Sequence, residues 1–444
     1  MNRKITLLLL SMICLTVYSQ KHKYLFVDDT WIKSSYAVNR EVYQPEKVKE
    51  NPLIIADKEW EGGVNCFGTV IYDEGKYRMW YQVYNAKEKK DPRFKYTVAY
   101  AESNDGIHWV KPELGIFDYN GKKSNIVLLS YGASDLYSPA VIKDSKASDP
   151  QKRYKMLYWD SMSEENLKKD GSRFPKGKSL PGWTAIDGEG FFAAYSPDGI
   201  HWTKYGTQPV FTCACDASAV MQENDGTFKA FFKISTKDDR HFRVLGKAES
   251  KDFEKWTEPE VILEPDWKDP HGTEFYGISP FNYFGNKLGM IWMYNNSPSD
   301  KSMNVQLAAY NDTKGWQRAA DRNLIMSVGV SGMWDAGCIV PSSNPLISVN
   351  NHDKEILIYY GGGTVRHDDH RYSEWSIGLA KIRLDGFASM SSKFFKGYFE
   401  TNPVYPEADK MFINADTDHG FISIEVIDPA SGKVLGKSKI IEKN

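Results

Sequence analysis

Five acidic side chains are the residues of this sequence best placed for acid–base chemistry. Each stands just before an apolar run that recurs along the chain, and the five are Glu61, Asp135, Asp216, Glu274 and Asp335. Two carboxyl groups in one site can share a reaction, because one donates a proton while the other acts as a base or a nucleophile. Crowding also raises the pKa of one carboxyl group, which keeps it protonated near neutral pH.

Two further residues neighbour these carboxylates and are candidates to contact a ligand. His271 precedes Glu274 by three positions, and Trp334 directly precedes Asp335. An imidazole offers hydrogen bonds and an indole offers a stacking face, which together suit a polar ring-shaped ligand. Glu61 is the least distinctive of the five carboxylates, because Glu59 serves a structural turn equally well.

Two predicted loops add candidate binding residues. Residues 366–371 read Arg-His-Asp-Asp-His-Arg, and Arg366 with His367 suits recognition of an acidic sugar or sulfate, or capture of phosphate. A solvated charged loop explains the same residues without a ligand. The long stretch 161–190 carries Trp183, a candidate sugar contact, and is either a lid over a pocket or a surface insertion.

Cysteine usage and motif content predict no metal and no cofactor. Cys14 lies in the N-terminal apolar segment, so Cys66, Cys213, Cys215 and Cys338 remain, too few for a disulfide scaffold. Cys213 and Cys215 lack a histidine or a second cysteine pair at ligand spacing. We therefore interpret them as small buried strand residues rather than as a metal site.

The elements that must position these residues come from an internal repeat. One apolar and aromatic string recurs five times, at residues 76–82, 153–159, 227–233, 287–293 and 354–360. A turn signal and a further apolar run precede each string, and a second strand with a polar turn follows it. Such runs indicate antiparallel strands joined by hairpins. His108 and His201 stand in two of the polar turns, and we interpret them as structural.

Five units of three or four strands predict an all-β fold, a five-bladed β-propeller, over residues 20–388. A pair of β-sandwiches explains the strand content but not the fivefold return of one unit. Residues 389–444 alternate like strands and predict a small C-terminal β appendage. No stretch shows a helical period. Because inner strands of a propeller surround one axis, the five carboxylates are expected to face a common pocket.

The net charge excludes one class of ligand, and the N-terminal residues indicate where the protein is located. The 444 residues hold 56 Lys and Arg against 58 Asp and Glu, which excludes a generic basic nucleic-acid surface. Residues 1–19 combine Arg3 and Lys4 with a short apolar run, typical of a signal peptide cut after Ser19. The run is too short to span a bilayer, so we expect a secreted or periplasmic protein without a membrane span.

The order of signal peptide, five repeats and β-rich tail resembles the secreted five-bladed glycosidases of glycoside hydrolase families 32, 43, 68, 117 and 130. The sharpest local matches are Leu25-Phe-Val-Asp-Asp29, two Asp-Gly-Ile-His-Trp turns and Ser331-Gly-Met-Trp-Asp-Ala-Gly337. These matches are most similar to family-32-like hydrolases. The Trp-Met-Asn-Asp-Pro-Asn-Gly, Arg-Asp-Pro and Glu-Cys motifs of family 32 are absent, so its catalytic residues cannot be carried over.

The resemblance implies an exported glycoside hydrolase that cleaves an oligo- or polysaccharide with paired carboxyl groups. We expect Glu274 as general acid, Asp216 or Asp335 as base or nucleophile, and Asp135 as an orienting partner. Two alternatives stay open: a carbohydrate-binding propeller without turnover, and a phosphorylase of the family-130 type. An enzyme needs two carboxylates in one pocket, whereas a binding protein needs aromatic side chains alone.

Overall fold

The computed structural model describes residues 23–131, 136–170, 188–212, 216–236, 242–349, 354–369, 371–393, 395–404 and 410–442. The fold is all-β, as the repeats predicted. The predicted signal peptide lies outside the described residues. Within the described part, no helix is both long enough and apolar enough to cross a membrane.

Three four-stranded antiparallel sheets follow one another along the first half of the chain. Sheet 1 contains Gly63–Asp73, Lys76–Tyr84, Tyr96–Ser103 and Ile126–Leu129. Sheet 2 contains Tyr137–Lys143, Tyr154–Ser161, Glu189–Ser196 and Thr203–Lys204. Sheet 3 contains Ser218–Gln222, Phe228–Ser235, Arg243–Ser250 and Glu260–Leu263.

Two further antiparallel units, here sheets 4 and 5, are joined by the single parallel pair of Met303 with Cys338. Sheet 4 contains Thr273–Tyr283, Asn286–Asn295, Met303–Asn311, Gly315–Arg318 and Leu324–Met326. Sheet 5 contains Cys338–Pro341, Leu346–Val349, Lys354–Gly363, Trp375–Arg383 and, from near the N-terminus, Glu46–Lys47. The outermost strand of sheet 5 therefore comes from the other end of the chain.

The predicted repeat coincides with the observed strands. In sheets 1 to 4 each recurring string falls on the second strand, the apolar run before it forms the first strand, and the run after it forms the third. In sheet 5 the run before the string forms two short strands, and both pair with Lys354–Gly363, which contains the string. Apolar side chains from successive sheets pack together, and one buried cluster joins sheet 5 to sheet 1 through Tyr359 and Ile377 against Val64 and Tyr81. First strands of sheets 1 to 4 lie side by side in chain order. Most side chains of the inner strands are thus buried on both faces, whereas outer strands such as Glu260–Leu263 are partly exposed.

Sheets 1, 2 and 3 end their third strand in the same turn. In sheet 1, Asp105 Oδ1 accepts hydrogen bonds from the backbone N–H groups of Ile107 and His108, and Trp109 Nε1 donates to the Gly106 carbonyl. The equivalent acidic residues are Asp198 in sheet 2 and Asp252 in sheet 3. The turn requires a positive φ, +77° at Gly106, and sheet 3 meets this requirement with Phe253.

Two short strands near the N-terminus pair with two strands that follow sheet 5, outside the five sheets. Ile32–Tyr36 pairs with Tyr398–Thr401, and Asn39–Val42 pairs with Ala388–Ser391. The C-terminal region adds the hairpin of Glu425–Ile427 with Val434–Lys437. The short pair of Asp118–Tyr119 with Lys122–Lys123 lies in the connection within sheet 1.

Helical structure is limited to short segments, and one of them was not expected. The α-helix Glu164–Asp170 begins after Ser163, whose hydroxyl accepts from the Asn166 N–H at 3.1 Å. Seven residues make two turns, too few to show a period in the sequence. The 3-10 helices are Pro92–Phe94, Pro150–Lys152, Ala320–Arg322 and Tyr372–Glu374.

Candidate active site

Asp216 and Lys233 form an ion pair at one end of sheet 3. Asp216 stands two residues before the first strand, and Lys233 lies near the end of the second strand. Because the two strands are antiparallel, the start of the first lies beside the end of the second. The Lys233 ammonium donates a hydrogen bond to Asp216 Oδ1. Burial acts to raise the pKa of Asp216, but the charge and hydrogen bond of Lys233 outweigh it, so the pKa is lowered. Asp216 is therefore held as a carboxylate.

Glu274 lies beside this pair, in the first strand of sheet 4. Arg243, which begins the third strand of sheet 3, donates to Glu274 Oε2 from Nη1 at 2.7 Å and from its backbone N–H at 3.3 Å. Asn296 Nδ2 donates to Glu274 Oε1. The side chain of Glu274 is 2% exposed, whereas that of Asp216 is 31% exposed. Of the two carboxylates, Asp216 is the one a ligand reaches directly.

Tyr276 connects sheets 3, 4 and 5 at this point. Its hydroxyl lies 3.4 Å from Asp216 Oδ2 and 3.0 Å from His367 Nε2, and the Lys233 ammonium lies 4.0 Å from its ring centroid. His367 belongs to the loop that follows Lys354–Gly363 of sheet 5. Its Nδ1 lies 2.8 Å from Asp368 Oδ1. A chain of contacts thus runs from Asp216 through Tyr276 and His367 to the half-exposed Asp368.

Sheet 4 and its following loop complete this side of the site. Tyr294 donates from its hydroxyl to Asp368 Oδ1 at 3.1 Å, and its ring centroid lies 4.7 Å from that of His367. Lys301 pairs with Asp368 Oδ2 at 3.1 Å and donates to Asn296 Oδ1. Cations and carboxylates are closely matched here. The site is highly charged but not strongly basic.

Tyrosines from sheets 1, 2 and 5 face the same region. The rings of Tyr84 and Tyr372 stack with centroids 4.6 Å apart, and Tyr96 lies 5.0 Å from Tyr137. Burial, together with the charge of Asp216 and neighbouring tyrosines, raises the pKa of Tyr372 to about 12. The same causes raise the pKa values of Tyr84 and Tyr137. Tyr84 is buried with Tyr276 in one cluster, and Tyr96, Tyr137 and Tyr372 are partly buried against it, so aromatic side chains lie in the region of the accessible carboxylate.

Asp335 lies outside this group. Its carboxylate accepts from Lys47 Nζ at 2.6 Å and from the Tyr360 hydroxyl at 3.0 Å, and its side chain is 3% exposed. Lys47 comes from the N-terminal strand of sheet 5. Trp334 stacks on Tyr360 with centroids 5.4 Å apart and is partly buried, and its role as a sugar contact stays a prediction.

Glu61 is also fully engaged by protein groups. Its oxygens accept from the Tyr81 hydroxyl at 2.8 Å, from Lys111 Nζ at 2.6 Å and from the N–H groups of Asp57 and Lys58. Its side chain has no exposed surface. No described contact joins Glu61 to Asp216 or Glu274.

The remaining predicted residues have different environments. His271 is exposed at the start of sheet 4, and Arg366 is exposed and pairs with Asp300. His367 is the loop residue that joins the Asp216 group. Asp135, Trp183, Cys213 and Cys215 lie outside the described residues.

Several residues of the site were not predicted. Lys233 breaks an apolar run, Phe231-Phe232-Lys233-Ile234, and a charge in such a run is a signal that sequence reading can use. Arg243, Tyr276 and Tyr294 give no comparable signal, because they look like ordinary strand residues.

Asp160 was also missed, at the end of the second strand of sheet 2. Its carboxyl group accepts from Ser130 Oγ at 2.7 Å and from the backbone N–H groups of Tyr131 and Ser161. Burial raises its pKa to about 6, although Lys204 opposes the shift. Asp160 is fully buried, and its hydrogen bonds hold Ser130 and Tyr131, which follow the last strand of sheet 1.

Across the described residues, no group of three or more His, Cys, Asp and Glu side chains is arranged to hold a metal ion. The chemistry available is that of carboxylates, ammonium and guanidinium groups, a histidine and phenols. An accessible carboxylate beside aromatic faces can act as a base or a nucleophile toward a bound sugar.

Comparisons with solved structures agree with this fold. One similar structure comes from work on family-130 mannoside phosphorylases and glycoside hydrolases that target β-1,2 mannosidic linkages in Candida mannan; it is 13% identical with a TM-score of 0.50, covering 77% of this chain and 94% of that one. A glycosyl hydrolase from Bacteroides ovatus gives the same values. A β-1,2-mannobiose phosphorylase from Listeria innocua is 13% identical with a TM-score of 0.50, covering 76% and 96%.

No protein-family model and no curated protein matches this chain. At 13% identity the likeness shows a shared fold alone. Both hydrolases and phosphorylases stand among these structures. The narrower likeness to family 32 stays a prediction.

Proposed function

We propose that this protein is an exported glycosidase built on a five-bladed β-propeller. Five successive antiparallel units, with apolar packing from sheet 5 back to sheet 1, support the blade count. The observation that carries the function is the meeting of Asp216 and Glu274, 58 positions apart in the sequence, in one group with Lys233, Arg243 and Tyr276.

Asp216 is the base or nucleophile in this proposal. Lys233 keeps it ionised, and the Tyr276 hydroxyl lies 3.4 Å from its Oδ2. Glu274 delivers the proton to the leaving oxygen. Because Arg243 and Asn296 hold both oxygens of Glu274, this role requires Arg243 to release Oε2, and Glu274 to take up a proton from solvent there, before the sugar is cleaved. Glycoside cleavage needs two such carboxyl groups.

Phosphorolysis is the second candidate, and a specific observation favours it. Lys233, Arg243 and Lys301 bring three cations to the site, and a cationic wall suits an attacking phosphate. Asp216, Glu274 and Asp368 already pair with these cations, which favours water as the nucleophile. Both reactions use the same proton donor.

Screening of purified protein against plant, algal and fungal oligosaccharides, with and without inorganic phosphate, tests the function. Release of free reducing sugar in the absence of phosphate supports hydrolysis. Phosphate-dependent release of a sugar phosphate supports phosphorolysis. Binding without turnover across the panel would contradict both and leave a carbohydrate-binding propeller.

The roles of the two carboxyl groups are separable once a substrate is found. With Glu274→Gln, a nitrophenyl glycoside of that sugar should be cleaved far better than the natural oligosaccharide, because its leaving group needs no proton. With Asp216→Asn, both substrates should lose activity equally. Equal losses in both variants would overturn the assignment of Glu274 as the acid.

A further inference from the structure

We propose that the proton on His367 sets the proton affinity of Asp216 through the hydroxyl of Tyr276. The proposal rests on the proposed role of Asp216 for its meaning in catalysis. The coupling itself follows from the contacts of the resting protein. His367 and Tyr276 are thereby positioning residues for the carboxylate that meets the sugar.

A count of hydrogens carries the argument. Asp216 and Asp368 are carboxylates and only accept hydrogen bonds, and between them stand one imidazole and one phenol. Three contacts link these groups, and each needs one hydrogen to be a hydrogen bond. They are Asp368 Oδ1 to His367 Nδ1 at 2.8 Å, His367 Nε2 to the Tyr276 hydroxyl at 3.0 Å, and that hydroxyl to Asp216 Oδ2 at 3.4 Å. A neutral imidazole and a phenol supply two hydrogens, so one contact remains unfilled.

When His367 is neutral, the Tyr276 hydroxyl donates its hydrogen bond to His367 and not to Asp216. Nδ1 must carry its hydrogen, since it faces a carboxylate oxygen, and Nε2 then accepts the hydrogen of Tyr276. The Tyr276 hydroxyl can donate its one hydrogen to either of two acceptors, Nε2 at 3.0 Å or Asp216 Oδ2 at 3.4 Å, and the shorter contact takes it when Nε2 is unprotonated. Burial lowers the pKa of His367, with Asp368 opposing and Lys233 and Arg243 adding to the effect, which favours this neutral state.

Protonation of His367 reverses the arrangement. A new N–H bond forms at Nε2 and donates to the Tyr276 oxygen, and the phenol hydrogen turns toward Asp216 Oδ2. No bond to carbon changes, and one proton is taken from solvent near Asp368, whose side chain is 54% exposed. Asp216 then has a second donor besides Lys233, which stabilises its ionised form.

Coupling of this kind is reciprocal. A protonated His367 lowers the proton affinity of Asp216, and an ionised Asp216 raises the proton affinity of His367. When Asp216 takes up a proton or forms a bond to sugar, His367 therefore releases its proton more readily. The titratable and charged groups that face His367 are Tyr276 and Tyr294 of sheet 4, Lys301 of its following loop, Asp216, Lys233 and Arg243 of sheet 3, and Asp368 of its own loop.

NMR titration of the His367 ring tests the coupling without any substrate. We expect Asp216→Asn to lower the pKa of His367 by about 1 pH unit in the otherwise unchanged protein, the scale of one charge-assisted hydrogen bond. In a Tyr276→Phe background the same substitution should shift it by less than half as much. Tyr294→Phe is the matched control, because Tyr294 contacts Asp368 and not Asp216, and it should leave the full shift.

Equal shifts in the Tyr276→Phe background and in the control would overturn the proposal. If Tyr276→Phe fails to fold, Asp368→Asn gives a second test, because it makes His367 harder to protonate. The carboxyl carbon of Asp216 should then titrate at a higher pH, and an unchanged titration would overturn the proposal. Coupling in a protein that cleaves no glycoside would refute the proposed function and leave the inference standing.

Discussion

The turns at the far end of sheets 1 to 3 and the group around Asp216 use the same residue types to opposite effect. In the turns, an aspartate accepts from the next backbone N–H groups, and the arrangement repeats in three sheets. Around Asp216, the repeated acidic position is combined with side chains that differ between sheets: Lys233 stands where the other strings have Gln82, Trp159, Met293 and Tyr360. The turns repeat a whole set of local bonds, whereas the site joins a repeated acidic position to side chains that one sheet alone supplies.

Range of contact separates the two regions as well. The turn aspartates are bonded within three residues, whereas Tyr276 meets His367 across 91 positions. Local bonds form wherever the turn sequence occurs. Long-range contacts depend on the packing of several sheets, which is why a site of this kind needs the whole fold.

The largest expected effect is on activity, from Asp216→Asn. Turnover of the substrate found by screening should fall about 10³-fold, because the proposed base or nucleophile loses its charge. The free energy of unfolding should fall as well, because Lys233 is 8% exposed and loses its charged partner, so turnover is compared per folded molecule. Rate measurements on protein with an unchanged circular dichroism spectrum check this, and retained turnover would place Asp216 with the structural aspartates.

Asp335→Asn sharpens the comparison from the opposite side. The substitution weakens the contacts to Lys47 and Tyr360, so the free energy of unfolding should fall by about 2 kcal/mol. Turnover per folded molecule should stay unchanged. Denaturant titration and active-protein kinetics measure both, and a large loss of turnover without a loss of stability would move Asp335 into the reaction.

A turn aspartate should affect stability alone. Asp198→Ala removes the acceptor for the N–H groups of Ile200 and His201, at 2.9 and 2.8 Å, and should cost about 1 kcal/mol of unfolding free energy. A fall in turnover without a fall in the unfolding free energy would contradict the structural role of Asp198. Ser196→Ala in the same turn gives a control of similar size, because its hydroxyl accepts from the Gly199 N–H at 2.9 Å.

The contribution of Asp198 should depend on pH. Burial acts to raise its pKa, but the bonds from His201, Ile200 and Ser196 outweigh it and lower the pKa to about 2. A depressed carboxyl pKa adds stability that is present above the unfolded value of about 3.9 and is lost as the pH falls toward 2. The stability difference between the wild type and Asp198→Asn should therefore shrink from pH 5 to pH 2. A constant difference would contradict the bonding shown in the turn.

The smallest effect is expected from His201→Ala. The His201 ring is 69% exposed and meets Asp198 at 2.7 Å, and exposed pairs of this kind contribute little in salt. The unfolding free energy should change by less than about 0.5 kcal/mol. A larger loss in denaturant titration, or any loss of turnover, would show that the turns do more than end a strand.

Local patterns made most of the fold predictable from the sequence. Strings such as residues 76–82 and 354–360 combine strand-forming residues with adjacent turn signals, so their strands follow from neighbours in the chain. The short helix after Ser163 and the strand Glu46–Lys47 lacked such patterns. The strand Glu46–Lys47 belongs to sheet 5 because it pairs with Trp375–Arg383, which lies more than 300 residues away in the sequence.

The site was predictable in part. Asp216 and Glu274 precede or begin neighbouring first strands, so topology alone brings them together. Glu61 and Asp335 have the same position in the repeat, yet Lys111 and Lys47 hold them elsewhere. Nothing in the repeat reveals those lysines, because each comes from a segment outside the repeated strings.

A crystal structure of Asp216→Asn with the oligosaccharide that the wild type cleaves tests the central claim most directly. We predict that the scissile bond of the sugar lies at the side chain of position 216, in direct contact if residue 216 is the nucleophile or with one water between them if it is the base. Oligosaccharide bound on another surface, with the Asp216 region open to solvent, would contradict the account.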